Sequence, residues 1–513
     1  MKNHLLFSIF LLWSGLIIAQ TTVNINTTTG GSLQSEFISH TYNPTQVVDL
    51  TITGLLDASD IRFMRDDLTA LAVIDISGTS IVAYTGPNGP MVGNPTYYYP
   101  ANELPYCAFF DPAVTHLGKP TLTSIQLPNT LNNIGNYSLQ YCFALTSVTI
   151  PNSVDTIKQY AFKYDTALIN VVIPAGVDII DEGAFQQAGG VTVDAGNPNY
   201  SSLDGVLFNK NKTVLITCPI TKYTYTVPAS VDTLGLESFY GCKHLASVNI
   251  PTTVTYISIG AFTAAGLVSV TIPSSINRIE AQVFFLCQKL TMVNLPNSIT
   301  NLSFGSFYGC TALLSIDIPA SVDTIQPFCF YADSAMISVT LHSGLKYIGG
   351  GAFQACKQLT SILFPPTVSY IGGNAFFCCF SLSSIYASTT TPVDLSTTAN
   401  VFYGVDTNTC ILFVPLGSLA LYQSANQWKD FNIIQQYDIG INAETTENFK
   451  VFAENSHVTI WDIPYGENVS VFTLQGIQIF NQISFNNRLV ISLPSNGLYI
   501  LRIGRKTHTI VSI

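Results

Sequence analysis

The sequence predicts a β-rich solenoid of about ten coils of 22–23 residues, with a cap at each end and a small all-β sandwich after it. Three observations predict it: a short motif returns in fixed phase, the same places stay apolar in each copy, and the composition suits a β-rich exported chain. Hydrophobic residues make up 47% of the 513 residues and charged residues only 10%. That length exceeds one ordinary compact core, so several domains or a repeat array are required. The net charge of −11 repels phosphate backbones, which argues against a nucleic-acid partner.

The repeat is visible by direct comparison. Residues 145–165 read LTSVTIPNSVDTIKQYAFKYD and residues 290–310 read LTMVNLPNSITNLSFGSFYGC. The Pro position recurs at Pro128, Pro151, Pro174, Pro228, Pro251, Pro273, Pro296, Pro319, His342 and Pro365, with one 54-residue step among steps of 22 or 23. The residue before it is apolar each time, from Leu127 to Phe364, and so is the residue six after it, from Ile134 to Ile371. V-x-I alternation makes a short strand with one buried face. Proline ends that strand because its ring nitrogen cannot continue a ladder. A second apolar pair follows, then a turn carrying an aromatic: Leu139, then Phe162, Phe185, Phe239, Phe262, Phe284, Phe307, Phe330, Phe353 and Phe376. Stacked coils would align these rings in a spine, and no unit could bury its face alone.

With phase, Pro and Phe all in agreement, residues 122–386 resemble the BspA-like leucine-rich repeat family of bacterial surface proteins. The long step fits that resemblance. Residues 191–219, containing NPNYSSLDGVLFNKNKTVLITCP, look like the β-hairpin insertion common in the family, with turns at Asn197–Pro198 and Asp204–Gly205. The expected organisation is a leader at 1–19, an N-terminal cap region at 20–118 and the leucine-rich repeat solenoid at 119–386 with its insertion at about 190–222. A capping module at 387–437, a linker at 438–448 and a terminal domain at 449–513 follow.

The leader is expected because Lys2 and His4 precede an apolar run over 5–18 and a small-residue junction at Ala19–Gln20. A membrane anchor is the competing reading, but that run is short for a span of about 20 apolar residues. Residues 68–76 read as a degenerate first coil, and 85–105, rich in Gly, Pro and Tyr, as an irregular loop. Residues 410–434 resemble the family's closing module: a strand, then a short helix presenting Tyr422, Trp428 and Phe431. The last segment alternates in short strands with turns at 464–466, 475–476 and 495–497. With VSVFTLQG at 469–476 and GLYILR at 497–502, it resembles a C-terminal sorting domain of the type IX secretion system. The usual Tyr-Pro-Asn-Pro opening is replaced by residues 451–455, VFAEN, which leaves open a plain sandwich retained on the mature chain.

Chemistry-bearing motifs are scarce. Six of the 11 cysteines lie three residues after the spine position: Cys142, Cys242, Cys287, Cys310, Cys356 and Cys379. Asp165, Ala188, Ala265 and Asp333 share that place, which suits a buried turn and not a ligand set. Cys287 with Cys310, and Cys356 with Cys379, would fall near enough on adjacent coils to bridge. The odd count favours free thiols. Asp155, Asp178, Asp232 and Asp323 form a column that could attract calcium, but neutral residues and a lysine interrupt it, so turn solvation is preferred. The sequence lacks HExxH, GxSxG and Walker motifs, so no catalytic residue, metal ligand or cofactor is assigned.

One pattern suggests a surface. Four residues before the Pro stand Ser124, Ser147, Asn170, Ser247, Ser269, Met292, Ser315, Ser338 and Ser361; two before it stand Gln126, Thr149, Val172, Asn249, Thr271, Asn294, Asp317, Thr340 and Leu363. Of these, the Ser, Thr and Asn at 124, 147, 149, 247, 249, 269, 271, 294, 315, 338, 340 and 361 are the candidate binding face. Alternation points both columns outward. They read either as a solubilised β-face or as a recognition surface for an extended extracellular protein or glycan. The resemblance implies a secreted or outer-surface, adhesin-like binding protein, with the secretion machinery as a further partner of the terminal domain. A structural spacer without ligand is the alternative class, and an enzyme the least supported.

Overall fold

The structure is a computed structural model that describes residues 21–91, 96–437, 450–454, 457–461, 468–473, 478–483, 488–493, 497–503 and 506–512. The expected leader and the Ala19–Gln20 junction, the linker, and the turns at 464–466, 475–476 and 495–496 lie outside the described residues. The chain divides into two compact units, 1–185 and 186–513.

In the first unit, five parallel strands form one sheet in chain order: Thr21–Thr27, Val47–Leu56, Val73–Ile81, Ser124–Gln126 and Ser147–Thr149. The last two carry the repeat. The first three lack its phase because they are longer and joined by helices Leu33–Ser39 and Ala58–Asp66, yet they continue the same sheet. The helices were not expected. Their local signal is a capping box: Asp57 accepts the Ser59 and Asp60 N–H groups, while the Asp60 carboxylate accepts the Asp57 N–H at 2.9 Å. Asp60 also accepts from Gly31 and Leu33, which ties the two helices together. Within the Gly/Pro/Tyr stretch, Tyr98–Tyr99 pairs with Tyr84–Thr85 and Glu103–Leu104 joins a parallel ladder, while buried Arg65 donates from Nη1 to the carbonyls of Pro90, Cys107 and Phe110.

On the opposite side of each coil runs a second parallel ladder of two-residue strands. In the first unit these are Glu103–Leu104, Asn133–Ile134, Thr156–Ile157 and Ile179–Ile180. In the second unit they run from Thr233–Leu234 to Tyr370–Ile371. The chain is therefore a β-solenoid of parallel-strand coils. The insertion consists of Tyr200–Leu203 and Val206–Asn209, antiparallel across the Asp204–Gly205 turn. Val214–Thr217 returns antiparallel and then joins the two-residue ladder beside Thr233–Leu234.

The phenylalanine spine forms. Centroids of Phe239, Phe262, Phe284, Phe307, Phe330, Phe353 and Phe376 stack at 4.8–5.6 Å with planes within 19° of parallel. Each ring sits between two residues with left-handed backbone, two before and two after it, for example Gly351 and Ala355 around Phe353. This doubly reversed turn aims the ring inward. Phe402 prolongs the spine at 5.9 Å from Phe376, and Trp428 then covers it at 5.1 Å. Trp428 donates its indole N–H to Val393 O at 2.9 Å, and Tyr422, on helix Leu419–Ser424, donates to Thr389 O. Strands Ile411–Pro415 and Ile433–Tyr437 extend the sheet to its last edge.

The terminal segment is all β. Lys450–Glu454, His457–Trp461 and Arg488–Ser492 form one antiparallel sheet; Gln478–Ile483, Asn468–Thr473, Gly497–Ile503 and Lys506–Ser512 form another. Val458, Ile460, Val469, Val471, Ile491 and Leu501 make its core.

Candidate binding face

The repeat's strands bury the side chain three residues before the Pro position, as at Ile125, Val148, Val248, Val270, Val293, Ile316, Val339 and Ile362. The flanking residues consequently face outward. Ser147, Thr149, Ser247, Asn249, Thr271, Asn294, Ser315 and Ser338 are exposed, and Ser124, Ser269, Thr340 and Ser361 are half-buried. Parallel register sets Ser124 beside Ser147, Ser315 beside Ser338 and Thr271 beside Asn294, whose amide donates to the Thr271 hydroxyl at 3.2 Å. Ser124, Ser147 and Thr149 lie in the first unit and the other nine in the second.

Two apolar members of the columns are exposed as well. Val172 and Met292 interrupt the face at 52% and 51% exposure. Exposed apolar residues border it one residue earlier, Ile169 in the first unit and Tyr223, Val268, Leu314 and Ile337 in the second. They occupy the first x of L-x-x-V, a place that alternation alone leaves undecided. The hydroxyls sharing it are taken by the backbone: Thr146, Thr291, Thr360 and Ser383 each donate to a carbonyl of the preceding coil. His342, standing where Pro usually does, pairs with Asp317 at 2.7 Å on the face's edge.

Beneath the face, two polar positions of the motif hold coil to coil. The serine of P-x-S-V donates to the preceding coil's carbonyl, as Ser153 to Leu131, Ser321 to Ile299 and Thr367 to Leu345 at 2.6–2.7 Å. The cysteine ladder does more than fill space. Cys287, Cys310, Cys356 and Cys379 direct Sγ at the spine carbonyl one coil back (Phe262, Phe284, Phe330 and Phe353) at 3.0–3.2 Å. Each is a free, buried thiol. Burial pushes the Cys287 and Cys379 thiols up to about 12, so neither supplies a thiolate nucleophile.

Asp165 and Asp333 stand in this same ladder, wholly buried. Their Oδ1 atoms accept the Cys142 and Cys310 N–H groups at 2.8 Å, while each Oδ2 has no partner. Desolvation raises both carboxyls well above their ordinary range, which favours the neutral acid over the carboxylate. This explains why Cys and Asp exchange at one position: both accept an amide hydrogen there. Among the described residues, no three His, Cys, Asp or Glu side chains are grouped to hold a metal, and no helix is long and apolar enough to cross a membrane.

The BspA type leucine-rich repeat region model matches residues 118–215, 211–336 and 278–405, together more than half of the chain. The chain belongs to the BspA-type leucine-rich repeat family. The coils of this BspA-type protein resemble several solved structures. A leucine-rich repeat protein from Eubacterium ventriosum is 23% identical, with TM-score 0.46, over 64% of this chain and 88% of that one. A leucine-rich cell surface protein from Faecalibacterium prausnitzii is 22% identical, with TM-score 0.38, over 71% and 82%. The pneumococcal vaccine antigen PcpA is 18% identical, with TM-score 0.38, over 77% and 82%. A search of curated proteins finds no match. A leucine-rich repeat solenoid of this kind is typically a binding scaffold without catalysis of its own.

Proposed function

We propose that this protein is a secreted or outer-surface, adhesin-like binding protein that recognises an extended extracellular protein or glycan through its strand face. The observation that carries this reading is the in-register row of short hydroxyl and amide groups, with low charge and an apolar border, on parallel strands. Such a surface offers repeated hydrogen-bond partners at coil spacing beside apolar contact, which suits an elongated ligand. The leader expected at 1–19 and the resemblance of 449–513 to a sorting domain support export through the periplasm to the outer surface. The two-sheet core of the terminal segment is compatible with that role.

The experiment is a binding screen of residues 20–437 against extracellular matrix proteins and a glycan array, repeated with Ser315→Lys, Ser338→Lys and Asn294→Lys. The expected result is binding that these variants abolish without lowering thermal stability. Unchanged binding would place the contact elsewhere, and absence of any ligand would favour the spacer reading.

A further inference from the structure

All 11 cysteines are free, and the ladder thiols point at backbone carbonyls one coil back, so no disulfide staples the coils. Another residue type, however, is paired coil to coil. Tyr347 and Tyr370 are direct partners in the two-residue ladder, and parallel register lays one ring over the other at 4.6 Å with planes 3° apart. Tyr308 and Tyr331 stack at 4.5 Å and 15°, and Tyr141 and Tyr164 at 4.4 Å and 6°. The rings are half-buried with one edge in solvent, and Tyr370 is 38% exposed. Tyr386 differs: it is buried and stacks on Phe413, which has no phenol.

We propose that Tyr347–Tyr370, Tyr308–Tyr331 and Tyr141–Tyr164 are oxidative modification sites, at which a peroxide-driven one-electron oxidant couples the two rings to dityrosine and staples neighbouring coils. Each phenol loses one electron and one proton to give a phenoxyl radical. The two radicals join through the ring carbons ortho to oxygen. The hydrogens on those carbons then pass to the oxygens as the rings regain aromaticity. Overall two C–H bonds break and one C–C bond forms, while the two electrons and two protons reduce one hydrogen peroxide to two waters.

Stacking favours this chemistry because it holds the two rings face to face, which keeps the ortho carbons of each close to the partner ring. A radical on one ring finds its partner inside the same molecule at high effective concentration, instead of waiting for collision with another chain. Stacked rings must tilt before their ortho carbons can bond. The solvent-facing edge of each pair allows that tilt by side-chain rotation, with the ladder backbone in place.

The test treats the full chain with hydrogen peroxide and a haem peroxidase, then reads dityrosine emission, intact mass, denaturing gel mobility and cross-linked peptides. The expected products are monomers lighter by two hydrogens per cross-link, with peptides joined at Tyr347–Tyr370, Tyr308–Tyr331 and Tyr141–Tyr164, and a raised unfolding midpoint. Tyr370→Phe, or the reciprocal Tyr347→Phe, keeps the stack and should delete only its own cross-linked peptide. The triple variant Tyr164→Phe, Tyr331→Phe, Tyr370→Phe should lose most of the emission, with an unchanged midpoint before oxidation. Emission equal to wild type in the triple variant, cross-links found only in covalent dimers, or oxidised but uncoupled tyrosines would each overturn the proposal.

Discussion

Asp333 is the residue whose replacement should reveal most about how the ladder is held. It fills a thiol's place, wholly buried, with Oδ1 bonded to the Cys310 amide and Oδ2 unpartnered. Burial raises its folded-state value well above that of the unfolded chain. The folded protein therefore keeps a proton that the unfolded chain sheds above about pH 3.9. Stability is fullest below that point and falls as pH rises, by about 1.4 kcal/mol per pH unit, until the carboxyl ionises within the fold. The orphaned oxygen adds a penalty of about 1–3 kcal/mol at any pH. Asp333→Cys keeps an acceptor for the Cys310 amide and supplies a thiol hydrogen for the Phe307 carbonyl, as Cys310 does for Phe284. It should gain about 1–3 kcal/mol near neutral pH and flatten the slope above pH 4 by up to one proton's worth. Urea unfolding across pH 4 to 8, with Asp333→Asn as a second isostere that cannot ionise, measures both quantities. A loss of stability in both variants at neutral pH, or an unchanged slope, would refute the neutral-acid account.

Other expectations follow from the same geometry. Alkylation of native protein should modify Cys378, the one partly exposed cysteine, and spare the six ladder thiols until denaturant is added; rapid native labelling of Cys287 and Cys310 would contradict it. Trp428→Ala removes the lid on Phe402 and the bond to Val393, and should cost about 3–5 kcal/mol of the second unit's stability by denaturant titration. Trp428→Phe should cost less. Deleting residues from 438 onward should leave the solenoid's unfolding midpoint unchanged while the protein accumulates in the periplasm. Normal surface display of the truncated chain would defeat the sorting reading.

Fold class was legible because a solenoid repeats one local solution. V-x-I before Pro states which residue is buried and where the strand stops, and each copy restates it with the same phase. Phe at one place and Cys three residues on mark the inner edge. The helices at 33–39 and 58–66 were missed because their signals, Asp57 and Asp60 in a capping box, occur once and lie among strands too long to share the repeat phase. The two-column face was legible from alternation, whereas its apolar border at Ile169, Tyr223, Val268, Leu314 and Ile337 was not, because exposure at a strand's end depends on the neighbouring coil.

What the sequence determined by itself was periodic: coil length, inward and outward positions, and the spine. What the tertiary structure alone decided was the chemistry between coils. Whether Ser153 solvates a turn or holds Leu131, whether Cys310 bridges Cys287 or faces Phe284, and whether Asp333 meets water or the core all turn on what lies one coil away. Periodicity records that a position recurs, but hydrogen bonding and desolvation depend on atoms about 23 residues distant along the chain, brought together only when the coils stack.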